Sequence, residues 1–148
     1  MNVFKDTMAK NNKFNQLSLT LLRIVLGIIF VYHGYIKLFV KGNLPATASF
    51  FAQIGIPLAN ASAVLVAFVE FIGGLLLLIG LLTRLASVIL ILEMLVAFFM
   101  VHLNKGFLVS KGGYEFVLLI LAGLFVILVN GAGRLSFGKM FFKGRYWH

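Results

Sequence analysis

The sequence predicts an all-α membrane protein in which four transmembrane helices form one bundle. Hydrophobic residues make up 61% of the 148 residues and charged residues 11%, whereas a soluble domain carries about 25% charged residues. The mean hydropathy is +1.06. A soluble fold of this length cannot bury so much apolar surface, so the excess must face lipid. The apolar residues gather in long runs close to the ~20 residues that a membrane-spanning helix needs.

The predicted spans follow the apolar runs at residues 17–39, 59–82, 85–103 and 114–130. In lipid, helices and closed barrels satisfy every backbone hydrogen bond. Barrel strands alternate polar and apolar residues over about 10 positions, whereas these runs are continuously apolar, so we predict helices. Ala46-Thr47-Ala48 resembles a signal-peptide cleavage site. It lies far beyond the first run, which is longer than a signal core of about 7–15 residues, so we expect a retained helix.

The connections between the predicted spans differ in length. The second and third spans are separated by Thr83 and Arg84 alone, which predicts a tight hairpin. The connection at residues 40–58 contains Pro45 and Pro57, and helices usually end before proline. A weak internal repeat, in which Glu-Phe opens an apolar run that closes at arginine, suggests two related helical hairpins.

Composition excludes several function classes. The chain has no cysteine, so it cannot form disulfides, thiolate nucleophiles or thiolate metal sites. Its net charge of +9 would suggest nucleic-acid binding in a soluble protein. Here the basic residues cluster beside aromatic residues at the ends of the spans. This pattern favours anionic lipid head groups as partners, and we expect no nucleic acid.

The basic residues also predict the orientation in a bacterial inner membrane. With an even number of spans, both termini lie on one side. That side would carry eight basic residues and the other side four: Lys5, Lys10, Lys13, Arg84, Arg134, Lys139, Lys143 and Arg145 against Lys37, Lys41, Lys105 and Lys111. The positive-inside rule therefore places both termini in the cytoplasm.

Three regions follow from these observations. Residues 1–16 form a polar, basic cytoplasmic N-terminus, residues 17–135 the four-helix membrane domain, and residues 136–148 a basic and aromatic tail. The mixture of aromatic and basic side chains in the tail predicts an interfacial anchor on the cytoplasmic leaflet. A disordered basic tail is the alternative.

The acidic residues mark where the membrane domain could carry out chemistry. Glu70 and Glu93 lie near the middle of the second and third spans, and Glu115 opens the fourth. A charge at mid-bilayer costs about 2.5–3.5 kcal/mol on insertion scales, so such residues usually face the bundle interior and have partners. We expect Arg23, Arg84 and Glu93 to be structural charge partners. The sequence leaves open which acid meets which base.

A polar ligand-binding pocket is the functional interpretation of these residues. It is predicted to be lined by side chains that converge at similar depth, with Tyr32 and Tyr35 at its rim: His33, Lys37, Glu70, His102, Tyr114 and Glu115. The alternative is a polar clasp, in which the charges fix the helix register and bind nothing.

Two further observations restrict the chemistry. His102 lies nine residues after Glu93, half a turn around a straight helix, so either the helix bends or one side chain faces a neighbouring subunit. A metal site of His33, His102 and a glutamate lacks the HxxxH or ExxH spacing that would support it, so no metal is predicted. No phosphate loop or nucleophile elbow is present, and no catalytic residue is assigned.

Ordered motifs over most of the chain resemble the DoxX family of small bacterial membrane proteins. The motifs that carry the resemblance are short and hold their order along the chain: Leu21-Leu22-Arg23, His33-Gly34 with Lys37, Phe50-Phe51 with Gly55-Ile56-Pro57, Val69-Glu70 with Gly73-Gly74, Thr83-Arg84-Leu85, His102-Leu103-Asn104 with Gly106-Phe107, Gly112-Gly113-Tyr114-Glu115, and Arg134-Leu135-Ser136.

The resemblance implies a four-helix inner-membrane protein linked to redox or sulfur metabolism, because one relative is a subunit of a thiosulfate:quinone oxidoreductase. The absence of cysteine argues against thiol-based sulfur transfer. We therefore predict a membrane subunit or accessory of a redox system, with quinone as the candidate cofactor and a redox protein as the candidate partner. A proton-coupled transporter acting as a homo-oligomer, and a non-catalytic membrane anchor or assembly partner, are the alternatives.

Overall fold

The computed structural model describes residues 2–133 and 135–138, with side chains from residue 14 onward within those ranges. These residues form five α-helices and contain no strand: α1 Asn2–Phe39, α2 Asn43–Gln53, α3 Ala59–Ile79, α4 Thr83–Ala97 and α5 Glu115–Asn130. The predicted all-helical architecture is therefore confirmed. Helix α1 begins at Asn2 and is continuous through the polar N-terminal residues and the first apolar run. Most of the predicted tail, from residue 139 onward, lies outside the described residues.

Within the part of the chain that the structure describes, three helical segments are long and apolar enough to cross a membrane: Phe14–Phe39, Ala59–Ile79 and Thr83–Lys105. Helix α5 is equally apolar but has 16 residues, which gives it a length of about 24 Å. The hydrocarbon core of a bilayer is about 30 Å thick. Length and composition thus make these three segments candidate spans, and the predicted fourth span stays a prediction.

Helix α2 occupies the connection that we predicted to be a loop. Pro45 is the third residue of α2. In the first turn of a helix proline costs little, because the backbone N–H that it lacks has no partner there. Ala48 is buried and anchors α2 against the bundle. The proline that we used as evidence for a break instead lies in the first turn of this short helix.

Helices α1 and α3 approach each other closely along a line of glycines. A Cβ atom on Gly74 would lie 2.6 Å from the backbone N of Val31, and one on Gly27 would lie 2.9 Å from the backbone N of Leu78. A Cβ on Gly34 would overlap the backbone of Phe71. Small residues let helix backbones pack tightly in lipid, where apolar burial supplies no driving force between helices.

The core joins side chains from α1, α3, α4 and α5. Its fully buried members are Phe30, Leu77, Leu90, Leu124 and Ile127. Exposed apolar side chains cover the outside of the bundle. An exterior covered by apolar side chains is expected for a protein that is surrounded by lipid.

Helices α3 and α4 are joined by the short turn Gly80–Leu82, three residues earlier than the predicted hairpin at Thr83. Gly80 adopts a left-handed conformation with φ 75°. Its N–H donates to the carbonyl of Leu76 at 3.0 Å, and the N–H of Leu81 donates to the same carbonyl at 3.0 Å. Glycine is favoured at this position because it has no Cβ to clash. We call this end of the bundle the hairpin end.

Two arginines cap helix C-termini at the hairpin end. The guanidinium of Arg23 is buried and donates to the carbonyls of Leu77 at 2.7 Å, Leu78 at 3.3 Å and Leu135 at 2.6 Å. Arg84 donates to the carbonyl of Val129 at 3.1 Å, near the end of α5. Cations are stabilised there because the last carbonyls of a helix lack intrahelical donors and carry partial negative charge. Both arginines, predicted as charge partners, are thus bonded to carbonyl oxygens.

Candidate functional site

A cavity of about 610 Å³ opens between α1, α3, α4 and α5, toward the end of the bundle opposite the hairpin. We call this the cavity end. Most of the wall is aliphatic or aromatic. The side chains in it that can ionise or donate a hydrogen bond are His33, Lys37, Ser62, Glu70, Glu93 and His102. A large apolar wall with a few polar groups is typical of a site for a small organic ligand.

An ion cluster lies in this cavity. The ammonium of Lys37 on α1 donates to Oε2 of Glu70 on α3. The carboxyl group of Glu93, on α4, lies beside the Glu70 carboxyl. Oε2 of Glu93 is buried, and no hydrogen-bond partner reaches it within the described part of the chain. Three helices therefore contribute one ionisable group each to the cluster.

A π-helical turn brings His102 to the same cavity as Glu93. The turn covers Phe98–His102, directly after α4. A π turn holds one more residue than an α turn and therefore changes the angular position of every side chain after it. Glu93 and His102 both line the cavity as a result. The predicted conflict between these residues is thus resolved by a bend within the chain, without a neighbouring subunit.

The connection from α4 to α5 folds over the cavity. Two backbone hydrogen bonds hold its shape. The N–H of Gly113 donates to the carbonyl of Leu108 at 2.9 Å, and the N–H of Tyr114 donates to the carbonyl of Gly106 at 3.0 Å. Nδ1 of His102 lies 2.6 Å from the carbonyl oxygen of Gly112. A carbonyl can only accept, so Nδ1 carries the hydrogen. This bond ties a cavity side chain to the covering loop.

Two predicted pocket residues lie outside the cavity wall. The carboxylate of Glu115 accepts a hydrogen bond from the backbone N–H of Val109 and so stabilises the covering loop. The ring of Tyr114 packs edge-to-face against Phe98 and Phe107, with centroids 5.2 and 5.6 Å away. Both residues contact the covering loop. The predicted pocket residues that line the cavity itself are His33, Lys37, Glu70 and His102.

The cavity is open sideways between α3 and α4. Leu65, Leu92 and Val96 line it and are 64%, 59% and 52% exposed. Each lies within a segment long and apolar enough to cross the membrane. Their exposed surfaces therefore face acyl chains, and we call these residues the apolar rim. A ligand that dissolves in the bilayer can pass the rim without entering water.

Glu93 and Ser62 are polar residues of the cavity wall that the predicted pocket did not include. The position of Glu93 near mid-span was visible in the sequence, but we expected it to be a structural charge partner. Among the described residues, no group of three or more His, Cys, Asp or Glu side chains is arranged to hold a metal ion.

Comparison with known proteins places the chain among small membrane proteins. The family model DoxX matches residues 18–103. A putative oxidoreductase, CatD, of Bacillus subtilis (strain 168) is 34% identical over 134 residues, which cover 90% of this chain and 94% of that protein. An uncharacterized membrane protein of Mycobacterium tuberculosis is 33% identical over 136 residues, which cover 85% and 82%. No solved structure matches.

The matched residues include the cavity side chains of α1, α3 and α4 together with Arg23 of the hairpin end. The chain belongs to the DoxX family.

Proposed function

We propose that this chain is a membrane subunit of a redox system and binds a lipid-soluble ligand of the quinone class. The observation that carries the proposal is the cavity itself, which combines an apolar rim open to lipid with an ion cluster. The relative named as a putative oxidoreductase supports a redox role.

The cavity has the size and chemistry that such a ligand needs. Its volume of about 610 Å³ falls within the usual range of about 300–1,000 Å³ for small-molecule sites. The ring oxygens of a quinone or hydroquinone would lie near Lys37, Glu93 and His102. An isoprenoid or alkyl tail would extend past the apolar rim into the bilayer. The acyl chains solvate the tail there, so the protein does not need to bury it.

Electron transfer in this scheme requires a partner protein. The chain has no cysteine and therefore cannot supply the thiolates that hold iron–sulfur clusters. A soluble or membrane-bound redox protein would exchange electrons with the bound ring. Clustered basic residues at the membrane surface would also favour anionic lipids around the subunit.

The test is quinone binding to the purified protein. Organic extracts of detergent-purified protein should contain quinone, and titration with a short-tailed quinone should give saturable binding. The His33→Ala, His102→Ala double variant should bind at least about tenfold more weakly, the loss expected when a polar anchor of about 1.4 kcal/mol is removed. Tyr35→Ala is the matched control, because Tyr35, which was predicted at the pocket rim, is exposed and does not line the cavity. Quinone-free extracts together with no saturable binding would refute the proposal. Native mass spectrometry of the same sample reports bound lipid and stoichiometry.

One observation favours a proton-coupled transporter as the second candidate. Glu70 and Glu93 lie beside each other within membrane-spanning segments, with Lys37 as their cation. Two carboxyls and one ammonium are electrically neutral when they hold one proton, and such clusters serve proton relays. Solute flux into proteoliposomes that falls in Glu70→Gln would support transport. Flux that is unchanged for every tested solute would remove this candidate.

The membrane topology belongs to the same proposal. We place four spans in a bacterial inner membrane with both termini in the cytoplasm, because one side carries eight basic residues and the other four. The absence of native cysteine makes this simple to test. A membrane-impermeant maleimide should label Lys105→Cys, but not Asn2→Cys, in cells with a permeabilised outer membrane. Labelling of Asn2→Cys alone would show that the protein has the opposite orientation.

A further inference from the structure

The covering loop carries three consecutive apolar side chains on its outer surface. Phe107, Leu108 and Val109 are each at least half exposed, and we call them the apolar tip. They lie outside the α-helices, and the exposed residues Lys105 and Lys111 stand on either side of them. A contiguous exposed apolar surface marks a site of contact with a protein or with a membrane.

The two helices that the covering loop joins are of unequal length at the cavity end. At the hairpin end they are level, because Arg84 near the start of α4 donates to the carbonyl of Val129 near the end of α5. From there the helical segment that contains α4 continues to Lys105, whereas α5 extends only to Glu115. The difference is about seven residues, which is about 10 Å of helix. The covering loop therefore runs back toward the middle of the membrane before α5 begins.

A hydrogen bond between the loop and α4's segment agrees with this depth. Nδ1 of His102 lies 2.6 Å from the carbonyl oxygen of Gly112. His102 belongs to the segment Thr83–Lys105, which is long and apolar enough to cross a membrane. Part of the loop backbone thus lies beside a membrane-spanning segment and not beyond its end.

The backbone of the covering loop is bonded within the protein, as a segment in lipid requires. Every N–H from Lys111 to Glu115 donates to a carbonyl between Gly106 and Val109. The N–H of Val109 donates to the carboxylate of Glu115. Non-helical backbone is tolerated at membrane depth where protein partners satisfy its polar groups. A loop in water has no such requirement, because water can bond its backbone groups.

We propose that the covering loop is embedded in the membrane, with the apolar tip among the acyl chains of the leaflet at the cavity end. Lys105 and Lys111 would then lie at the level of the phospholipid phosphates, which their long side chains can reach from a backbone that lies deeper. An acidic protein would also match the two lysines, but it would not require the depth of the loop or its internally bonded backbone. The cover of the cavity, like the apolar rim, then faces acyl chains. This inference goes beyond the proposed function, because it holds whatever ligand the cavity binds.

The test is tryptophan fluorescence of the full chain in vesicles of phosphatidylcholine and phosphatidylglycerol. Trp147 is the single tryptophan, so the Trp147→Phe background allows one new tryptophan to report one position. Phe107→Trp and Leu108→Trp each place the reporter on the apolar tip, where the replaced side chain is exposed and the ring needs no space inside the protein. Lys41→Trp, in the exposed turn after α1, is the aqueous control at the same end of the bundle. Ile28→Trp, exposed near the middle of the span Phe14–Phe39, is the control in the acyl region.

Two quenchers separate the possible surroundings of the apolar tip. Lipid brominated on its acyl chains should quench both tip variants strongly, as it quenches Ile28→Trp. Aqueous iodide should quench them about fivefold less than Lys41→Trp, because a charged quencher is excluded from hydrocarbon. Thermal unfolding in detergent shows that each variant is folded, and the second tip variant serves if the first is not.

Two results would overturn the proposal. Iodide quenching of the tip variants equal to that of Lys41→Trp would show that the loop lies in water, where the apolar tip is open to a protein partner. Protection of the tip from both quenchers would show that protein, and not lipid, covers it.

Discussion

The hairpin end and the cavity end both bury charged side chains, but they stabilise them differently. At the hairpin end, Arg23 is 2% exposed and its hydrogen bonds go to backbone carbonyls of α3 and of the chain after α5. At the cavity end, Lys37, Glu70 and Glu93 stabilise one another through side chains beside a cavity. The hydrogen-bond acceptors at the hairpin end are backbone carbonyls with fixed positions, whereas those at the cavity end are side-chain carboxyls that can rotate.

This difference separates a structural end from an adaptable one. Carbonyls at a helix C-terminus cannot move without unwinding the helix, so the Arg23 arrangement has one geometry. Gly80 must be glycine for that arrangement, because a Cβ there would overlap the guanidinium of Arg23. Side-chain carboxyls can reorient or exchange partners around a ligand. The following predictions test this distinction.

The largest effect is expected for Arg23→Met. Loss of the guanidinium leaves the carbonyls of Leu77 and Leu135 without their charged donor, and hydrogen bonds to charged groups are each worth about 1.5–3 kcal/mol. The free energy of unfolding should fall by about 3 kcal/mol, measured by denaturant or thermal unfolding in detergent. Arg84→Met is the control, since its bond to Val129 is exposed, and it should cost under about 1 kcal/mol. Equal losses in the two variants would contradict the assigned role.

The next largest effect is expected for Lys37→Met. It leaves Glu70 beside Glu93 with no cation, so the free energy of unfolding should fall by about 1–2 kcal/mol, less than for a fully buried pair because the Lys37 side chain is 20% exposed. Adding Glu70→Gln should restore most of the loss. A double-mutant cycle measures the coupling, and a coupling near zero would show that the pair does not stabilise the fold.

Deletion of Met100 should change ligand binding more than stability. Met100 lies within the π-helical turn and is exposed. Its removal allows a regular α turn and rotates His102 by about 100° away from the cavity. The affinity for the short-tailed quinone should fall about tenfold. Met100→Ala keeps the turn and should bind normally. Normal binding in the deletion variant would show that His102 is not a ligand contact.

The smallest effect on stability is expected for Glu93→Gln. The substitution replaces one of two neighbouring carboxyl groups with a neutral amide of the same shape, so the free energy of unfolding should stay within about 1 kcal/mol or rise. Glu115→Gln makes the same change where the carboxylate accepts the N–H of Val109, and it should lower stability or loosen the covering loop. Hydrogen exchange of the loop amides distinguishes the two variants.

Apolar periodicity predicted the helices well. The second span was predicted to begin at residue 59, where α3 begins, and the fourth was predicted at residues 114–130, against Glu115–Asn130 for α5. Such agreement is expected, because the length and apolarity of a membrane helix are fixed by the bilayer.

Other features depend on the backbone and could not be predicted from side-chain patterns. Helix α2 was missed because Pro45 was interpreted as a break. The carbonyl partners of Arg23 were missed because every residue has a carbonyl, so no residue type marks a free one. The π turn that lets Glu93 and His102 line the same cavity has no distinctive residues, so a regular period of 3.6 could not show that the two side chains share a face.

Because of the apolar rim, the apparent affinity of this protein for a ligand depends on how strongly that ligand partitions into the bilayer. A ligand that arrives through Leu65, Leu92 and Val96 is drawn from the bilayer, where each methylene of its tail contributes about 0.8 kcal/mol to partitioning. Tail length then sets how much ligand the site encounters, and the ion cluster sets which head group stays. Dissociation constants should therefore be expressed per mole of lipid, because a long-tailed and a short-tailed ligand with the same ring will differ in water and agree in the membrane.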